Sequence, residues 1–456
     1  MRRGELLMGR STLRRDDLRS LFTPPTTASE QVGLEIECGV VDPETGLGAA
    51  FGGRRGIKAV LAALLAEWEG KAQYNDGELI GVELADGGLI GLEHGGQFEY
   101  SAPPAADVVT AVDELRRTME RLAELLGRFG LALLPGATLP FDRVESAPLM
   151  PLSRGVPMRA YFAGLGAVGS RAPGILSLSM STQVHLDPLS EEDFAQKLRM
   201  LTAASPVVAA LFVNSPLYAG ELDGLLSHRS YDWLRTDPQR CGVLRAALEG
   251  DADFDAVIDW ALRRRMIFYR DRAGRLRPGP DKPFAAVLEQ GFDDGGTVTY
   301  DHWVSHMTQI WTHVRPRRTL ELRAPDGPPY PYISAVPALW TGLCYHPASR
   351  AAAWELLGRY GVAEQEAATE QLPAEGLRTL LGGDRVHELA AELVRLAREG
   401  LRARVAAGLE RPKVLEYLDP LDEVLETGQT FAERCAARWE TDLARDPRRY
   451  VAAYRV

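Results

Sequence analysis

Two hydrophobic periods alternate along the chain, a two-residue period typical of strands and a period near 3.6 residues typical of helices. Strands are predicted at 32–41, as a pair around a turn within 79–101, at 175–187 and at 319–323, and helices at 56–69, 107–129, 190–212 and 334–345. From residue 349 onward the pattern is helical almost to the end. The chain is therefore predicted to mix strands and helices, with a helical C-terminal third.

The domain organisation follows from where this patterning begins. Residues 10–30 are charged and then rich in Pro and Thr, so residues 1–30 are expected to form a surface lead-in rather than core. No internal repeat and no linker rich in Pro, Gly or Ser divides the rest. Residues 31–456 are therefore expected to form a single domain.

Composition narrows the class of protein. With 456 residues, 45% hydrophobic and 25% charged, the chain can bury a sizeable core, and its net charge of -11 argues against a nucleic-acid partner. Four scattered cysteines favour a reducing compartment. Neither a secretory signal nor an apolar stretch of about 18 residues is found, so a cytoplasmic protein with no membrane partner is expected. Nothing in the sequence indicates an oligomeric state.

The first predicted strand carries two carboxylates on one face. Side chains alternate along a strand, so Glu35 and Glu37 project to one side and Leu34 and Ile36 to the other. By itself this pattern is also typical of a strand that shows its polar residues to water.

Three further segments repeat the arrangement. Glu93, Gln97 and Glu99 have the same parity, and Gly95-Gly96 between them permits a bulge or a close approach of the backbone. In the same way Gln183, His185 and Asp187 share one face of a predicted strand. Glu321 and Arg323 share a face of another.

If these strands lie in one sheet, one face gathers five glutamates. Such a cluster is costly unless cations neutralise it. Carboxylate and amide oxygens suit Mg2+, which commonly bridges nucleotide phosphates. The pattern therefore predicts a metal-nucleotide site.

Arginines are the second component of a phosphoryl-transfer site. Guanidinium groups bind phosphate and carboxylate bidentately. Arg229 and Arg240 lie in a loop-rich segment, and taken alone each is by default a solvated arginine, whereas Arg323 shares a strand face with Glu321. Other nucleotide motifs, such as the Gly-x-x-x-x-Gly-Lys-Ser/Thr loop, are missing.

Together these motifs resemble the glutamate-cysteine ligases of the plant and proteobacterial type and the related enzymes of ergothioneine synthesis. The resemblance covers nearly the whole chain and depends on residues 33–37, 92–104, 158–162, 183–187, 214–216, 227–229, 240–242 and 320–327. It implies an α+β fold with a curved antiparallel sheet flanked by helices, similar to the catalytic sheet of glutamine synthetase. Residues 31–456 would then be a single ligase catalytic domain.

The resemblance also implies an activity: an ATP- and Mg2+-dependent ligase that joins glutamate to cysteine through a γ-glutamyl phosphate. It assigns Mg2+ to Glu35, Glu37, Glu99, Gln183 and Glu321; ATP to Arg229, Arg240 and Gln183; catalysis to Glu37, Glu321 and Arg323; and substrate binding to Arg323, Met158, Arg159 and Tyr161.

The chain departs from the family at residues 171–178, where members usually carry Met-Met, and at His185 and Cys38-Gly39. Because these positions are expected near the substrate pocket, the acceptor amine, and with it glutathione or ergothioneine biosynthesis, stays open. A catalytically silent homologue that binds nucleotide or amino acid is the other alternative. The retained glutamates argue against it, because an inactive protein has no need of a costly charge cluster.

Overall fold

The computed structural model describes residues 13–456. Its strands, in chain order, are β1 (Val32–Val41), β2 (Gly70–Asn75), β3 (Glu78–Leu84), β4 (Leu89–Leu92), β5 (Phe98–Ser101), β6 (Ala132–Pro135), β7 (Thr182–Leu186), β8 (Leu217–Tyr218), β9 (Glu221–Leu222), β10 (Cys241–Gly242), β11 (Phe268–Arg270), β12 (Leu276–Pro278), β13 (Trp311–Thr312), β14 (Val314–Pro316), β15 (Leu320–Leu322), β16 (Leu380–Leu381) and β17 (Asp384–Arg385).

Helices account for most of the remaining ordered structure. They are α1 (Ile57–Glu67), α2 (Val108–Arg128), α3 (Gly155–Gly164), α4 (Ala172–Leu178), α5 (Glu191–Leu211), α6 (His228–Leu234), α7 (Phe254–Leu262), α8 (Phe284–Gln290), α9 (Tyr300–Thr308), α10 (Ala335–Cys344), α11 (Pro347–Leu357), α12 (Val362–Glu375), α13 (Val386–Ala406), α14 (Asp419–Thr427), α15 (Phe431–Glu440) and α16 (Pro447–Tyr454). The six from α11 onward confirm the predicted helical C-terminal third.

A nine-stranded sheet organises the fold. Its strand order is β14-β15-β7-β1-β5-β4-β3-β2, with β6 also paired to β1, and every neighbouring pair is antiparallel. Helix α2 packs against β1 and β6, and α10 packs against β1 and β7. The predicted mixture of helices with a large antiparallel sheet is confirmed.

Several predicted elements are confirmed with shifts of one or two residues at their ends. Helix α2 begins after Asp107, whose side chain accepts a hydrogen bond from the backbone N–H of Thr110, and α5 begins after Ser190, which caps the N–H of Asp193. These side chains satisfy backbone donors that a helix start leaves unpaired.

Other predictions are wrong in detail. Residues 79–101 form parts of three strands, not two, and the strand predicted at 175–187 is helix α4 followed by the shorter strand β7. Strands β2 and β6 were not predicted. Short apolar runs such as Ile175–Leu178 do not distinguish a buried helix turn from a strand, because both place apolar residues close together.

The N-terminal segment also differs from its prediction. Residues 1–12 lie outside the described chain, but Arg15–Leu21 forms a short 3-10 helix in which Leu18 is fully buried, and the following Phe22 is fully buried as well. Phe22 packs edge-on against Trp303. The prediction of a surface lead-in over 1–30 therefore does not hold for this stretch, because its few apolar residues join the core.

A search of residues 13–456 for a helix long and apolar enough to cross a membrane finds none.

Candidate active site

The four polar strands lie side by side in the large sheet. In the order β15-β7-β1-β5, Glu321 pairs with His185, Gln183 with Glu35, and Glu37 with Glu99. Alternation along each strand therefore places their polar side chains on one face, as predicted. A cavity of about 310 Å³ opens on that face, and its lining includes all five predicted glutamates: Glu35, Glu37, Glu93, Glu99 and Glu321.

Two of the glutamates lack a direct cationic partner. Glu37 and Glu99 are paired across β1 and β5, and within the described chain neither carboxylate forms a direct ion pair. Burial, followed by the charge of Glu93, raises the pKa of Glu37 to about 7. Burial, followed by the charge of Glu35, raises the pKa of Glu99 well above its usual range. Both carboxylates would gain from a cation in the cavity.

A second acidic group lies beside this pair. Ligand atoms of Glu35, His185 and Glu321 all lie within 4.8 Å of one another, and His185 Nε2 is 3.3 Å from Glu35 Oε1. Burial raises the pKa of Glu35, but His185 outweighs it and holds that pKa below its ordinary value. The carboxylate oxygens of Glu35 and Glu321 match the preference of Mg2+ for hard ligands, whereas the imidazole nitrogen of His185 does not, so the carboxylates fit the metal that the sequence implies.

Glu321 already has two cations. Arg315 donates to it bidentately, with Nε to Oε2 at 2.8 Å and Nη2 to Oε1 at 2.7 Å, and Arg323 Nη1 donates to Oε1 as well. Burial raises the pKa of Glu321, but the two guanidinium groups outweigh it and hold that pKa far below its ordinary value. A metal at Glu321 would have to share this carboxylate with two arginines.

Gln183 links the arginines to the uncompensated carboxylates. Its Oε1 accepts from Arg323 Nη1 at 2.6 Å, and its Nε2 donates to Ser181 Oγ at 3.0 Å and to Glu37 Oε1 at 3.4 Å. Ser181 Oγ in turn donates to Glu37 Oε2 at 2.9 Å. The buried amide therefore fixes the relative positions of Arg323 and Glu37.

The glycines beside Glu93 serve a close packing contact. A Cβ on Gly95 would lie 1.8 Å from the carbonyl oxygen of Ser177, and Gln97 Nε2 donates to that same oxygen at 2.9 Å. The close approach predicted for Gly95 is therefore to the end of helix α4. This contact holds Glu93 and Glu99 in place at the cavity.

Arg229 and Met158 line the cavity, as predicted. Arg229 is buried, and its Nη2 donates to the carbonyl oxygen of Arg323 at 2.8 Å while its Nη1 donates to that of Pro325 at 3.2 Å. Both terminal nitrogens of Arg229 therefore donate to backbone carbonyl groups of the segment that follows β15.

The other residues predicted to bind cofactor or substrate lie outside the cavity. Arg159 is exposed on α3, and neither it nor Tyr161 nor Arg240 belongs to the described lining of the cavity. All three guanidinium nitrogens of Arg240 are engaged, by Asp237 at 2.7 Å, the Tyr161 hydroxyl at 2.9 Å and the carbonyl oxygens of Gln309 and Arg265. This placement argues against the predicted cofactor contact of Arg240, because four of its five N–H donors are already used within the protein and its side chain is 1% exposed.

Three cavity arginines, Arg154, Arg315 and Arg317, were not predicted. Arg315 precedes the Leu-Glu-Leu-Arg strand and pairs with Glu321 across the β14–β15 hairpin, so recognising that hairpin would have found it. Arg154 lies in a segment with no periodic pattern, and its Nη2 donates to both carboxylate oxygens of Glu93, at 2.9 and 3.2 Å. Trp233 and Trp311 also line the cavity, with ring centroids 6.0 Å apart.

Comparison with known proteins connects this geometry to a family. The family model described as glutamate-cysteine ligase family 2 matches residues 31–451. The chain is 32% identical over 370 residues to a chloroplastic glutamate–cysteine ligase of Arabidopsis thaliana, covering 81% of this chain and 68% of that protein. It is 30% identical over 386 residues to chloroplastic glutamate–cysteine ligase B of Oryza sativa subsp. japonica, covering 84% and 76%.

Solved structures share the fold at low sequence identity. A glutamate–cysteine ligase of Francisella tularensis in complex with AMP superposes with a TM-score of 0.56 at 11% identity, covering 94% of this chain and 89% of that chain. A bifunctional glutathione synthetase of Pasteurella multocida gives a TM-score of 0.54 at 12% identity, covering 93% and 52%.

Proposed function

Because the chain belongs to glutamate-cysteine ligase family 2, we propose that it is an ATP- and Mg2+-dependent ligase that joins the side-chain carboxylate of glutamate to the amine of cysteine. The product is γ-glutamylcysteine, formed through a γ-glutamyl phosphate. One structural observation carries the proposal: Glu37 and Glu99 are paired on the wall of a cavity, neither forms an ion pair within the described chain, and arginines line the same cavity. The curated relatives support the same reaction.

Mg2+ would be held on the acidic face, by Glu35, Glu37 and Glu99 with Gln183 and Glu321 beside them. When bound, the metal neutralises phosphate charge as the phosphoryl group transfers. The carboxylates are suited to this role because burial and mutual repulsion already disfavour their charge without a cation. We propose that turnover depends on the charge of Glu37.

The arginines would hold the anionic reactants. Arg323 is fixed by Glu321 and Gln183 at the edge of the acidic group, where a guanidinium can orient the substrate glutamate or the phosphate. Arg229 stays a proposed phosphate contact. In the first step the glutamate side-chain carboxylate attacks the γ-phosphorus and ADP leaves; in the second the acceptor amine attacks the acyl carbon and phosphate leaves, with loss of a proton from nitrogen.

The cavity also has an apolar part of its lining. Met158, Phe162, Leu176, Trp233 and Trp311 line it. Such a wall suits a small apolar or thiol side chain better than a charged one. It supports cysteine as the acceptor.

A different acceptor amine is the second candidate, and one observation favours it. Ile175 and Leu176 belong to the segment that departs from the family pattern, and both line the cavity. The chemistry would be retained, while pathway membership in glutathione or ergothioneine biosynthesis would follow the acceptor.

Phosphate release from ATP tests these alternatives, with glutamate fixed and cysteine, 2-aminobutyrate, serine and larger amines compared. We expect cysteine to have the highest kcat/KM even though the pocket segment departs from the family pattern. One methylene gained or lost in a pocket changes discrimination by only about 10- to 200-fold, so cysteine can remain the best acceptor in a reshaped pocket. If an amine outside this size class has a kcat/KM more than about tenfold above that of cysteine, cysteine is not the acceptor, but the proposed ligase activity still holds. Nucleotide binding without turnover across the whole panel would indicate the non-catalytic homologue.

Arg323→Lys is expected to raise the KM for glutamate about tenfold or more while changing the KM for ATP less. A lysine ammonium is a point charge and cannot reproduce a bidentate grip on a carboxylate. Steady-state kinetics with each substrate varied in turn measures both values. Equal losses for the two substrates would place Arg323 on phosphate.

Three broader features belong to the same proposal. The family match over 31–451 supports residues 31–456 as one catalytic unit. We propose that the sheet curves around the site in the manner of glutamine synthetase. A cytoplasmic location is supported by four cysteines that are all buried and free.

A further inference from the structure

Helix α4 forms part of the wall of the cavity, and contacts hold it at both of its ends. Its Ile175 and Leu176 line the cavity. Near its C-terminal end, the carbonyl oxygen of Ser177 accepts a hydrogen bond from Gln97 Nε2 at 2.9 Å. Its N-terminal part packs against helix α6. The position of this part of the wall therefore depends on how α4 meets α6.

A buried carboxylate lies at the contact between these two helices. Asp232 of α6 is 8% exposed, and its Oδ1 is 3.3 Å from Nε of Arg171, the residue that precedes α4. The backbone N–H of Arg171 also donates to the carbonyl oxygen of Arg235 at 3.2 Å. Burial raises the pKa of Asp232 to about 7, and the charges of Arg171 and Arg235 oppose that rise. The ion pair with Arg171 therefore helps to keep the buried carboxylate charged.

The glycine at position 174 permits this close approach. A Cβ on Gly174 would lie 2.5 Å from Asp232 Oδ2, so any side chain there would push the carboxylate or the helix away. Without one, the first turn of α4 lies directly on the carboxylate. Arg171 and Gly174 both belong to residues 171–178, where the sequence departs from the family pattern. The contact with Asp232 is thus made by residues of the segment that differs.

This contact connects two parts of the apolar lining. Trp233, which follows Asp232, lines the cavity, and so does Ile175, which follows Gly174. A change in the distance between α4 and α6 would therefore change the width of the cavity at its apolar part. Asp232 itself does not belong to the described lining of the cavity. It can act on a reactant only through the helices that it joins.

We propose that Asp232 is a positioning residue that fixes α4 against α6, through Arg171 and the space left by Gly174, and thereby sets the width of the pocket for the acceptor amine. This inference depends on the proposed function, which assigns the apolar lining to the acceptor. A wall that is fixed in place discriminates between acceptors by size, because it excludes side chains that a movable wall would admit.

Asp232→Asn and Arg171→Met test the proposal in the full chain at pH 8, where the carboxylate is charged. Each should raise the KM for cysteine at least about fivefold and reduce the preference for cysteine over larger amines at least about threefold. The kcat at saturating cysteine and the KM for ATP should change less than about twofold, because the contact affects acceptor binding and not the chemical step. The effects should not add in the double variant, since both substitutions remove the same ion pair.

Two further variants and a second measurement complete the test. Arg171 is 39% exposed, so Arg171→Met keeps the kinetic test available if Asp232→Asn does not fold. Glu370→Gln removes an exposed partner of Arg235, 3.3 Å away, and is the matched control; it should change each kinetic constant less than about twofold. In the unliganded protein, Asp232→Asn should speed backbone amide exchange within residues 174–178 at least about tenfold.

Several results would overturn the proposal. One is a rise in the KM for ATP as large as that for cysteine, and another is a lower kcat with an unchanged KM for cysteine, which a general structural role would produce. Unchanged amide exchange in α4 would also contradict it. If the unmodified protein forms no γ-glutamyl product with any amine, the proposed function itself is refuted and the acceptor role of α4 with it, a result that no variant is needed to obtain.

Discussion

Replacing Glu37 with glutamine is expected to reduce ATP turnover at least about tenfold while the protein stays folded. Glutamine keeps the shape of the side chain and its contacts with Ser181 and Gln183, but it removes the negative charge that a magnesium site needs. Phosphate release at saturating Mg2+ measures the effect. Glu83→Gln, on strand β3 outside the described cavity lining, is the matched control and should retain turnover.

The same substitution has a second expected consequence, for stability. The Glu37 carboxyl has an ordinary pKa of 4.5 and a folded-state pKa of about 7, raised by burial and by Glu93. The folded protein therefore binds this proton more tightly than the unfolded chain does, so the free energy of unfolding falls as the pH rises from about 4.5 to about 7. A shift of this size is worth on the order of 3 kcal/mol.

Glu37→Gln lacks this titration. In urea unfolding without Mg2+ at pH 8, the variant should therefore unfold at the same or a higher urea concentration than the unmodified protein, and the two should converge near pH 4. Near-native turnover of the variant would remove Glu37 from the metal site. Unfolding at a clearly lower urea concentration at pH 8 would mean that the charged form is already compensated in the folded protein.

The side chains that project from the acidic face of the sheet were predictable, because the alternation of side chains depends only on the local strand conformation. Parity predicted which side chains share a face within each strand, and the register of the sheet brings Glu35, Glu37, Glu99 and Glu321 onto one common face. The neighbour order β15-β7-β1-β5 could not be predicted in the same way, because antiparallel pairing between segments far apart in sequence leaves no local signal.

The arginines were less predictable for a related reason. Arg240 and Arg315 look alike in sequence, yet Arg240 is enclosed by Asp237 and backbone carbonyls while Arg315 reaches the cavity. A long flexible side chain can serve packing or a ligand, and only the tertiary neighbours decide which. Helix α4 was missed because apolar residues at 175, 176, 178 and 180 fit both a strand and a short buried helix.

Glu321→Gln is expected to lower the free energy of unfolding by about 3 kcal/mol or more and to abolish turnover. The Glu321 side chain is 1% exposed, and those of Arg315 and Arg323 are 13% and 12% exposed. Without the carboxylate, two neighbouring guanidinium groups lose their shared counter-charge, and breaking a buried ion pair in this way typically costs about 3–5 kcal/mol. Urea unfolding measures the loss.

The double variant Glu321→Gln with Arg315→Gln separates this electrostatic cost from a general loss of packing. Removing one guanidinium relieves the repulsion, so the double variant should be more stable than additivity of the two single variants predicts, with a coupling of about 1–2 kcal/mol. Turnover should stay lost, because Arg323 still lacks the carboxylate that orients it.

The surface pair Arg245–Glu366 has the same bidentate geometry, at 2.8 and 2.8 Å, but its side chains are 54% and 38% exposed. Glu366→Gln is therefore the matched control and should lower the free energy of unfolding by less than about 1 kcal/mol. Equal destabilisation by Glu366→Gln and Glu321→Gln, or strict additivity in the double variant, would contradict a shared buried counter-charge at Glu321.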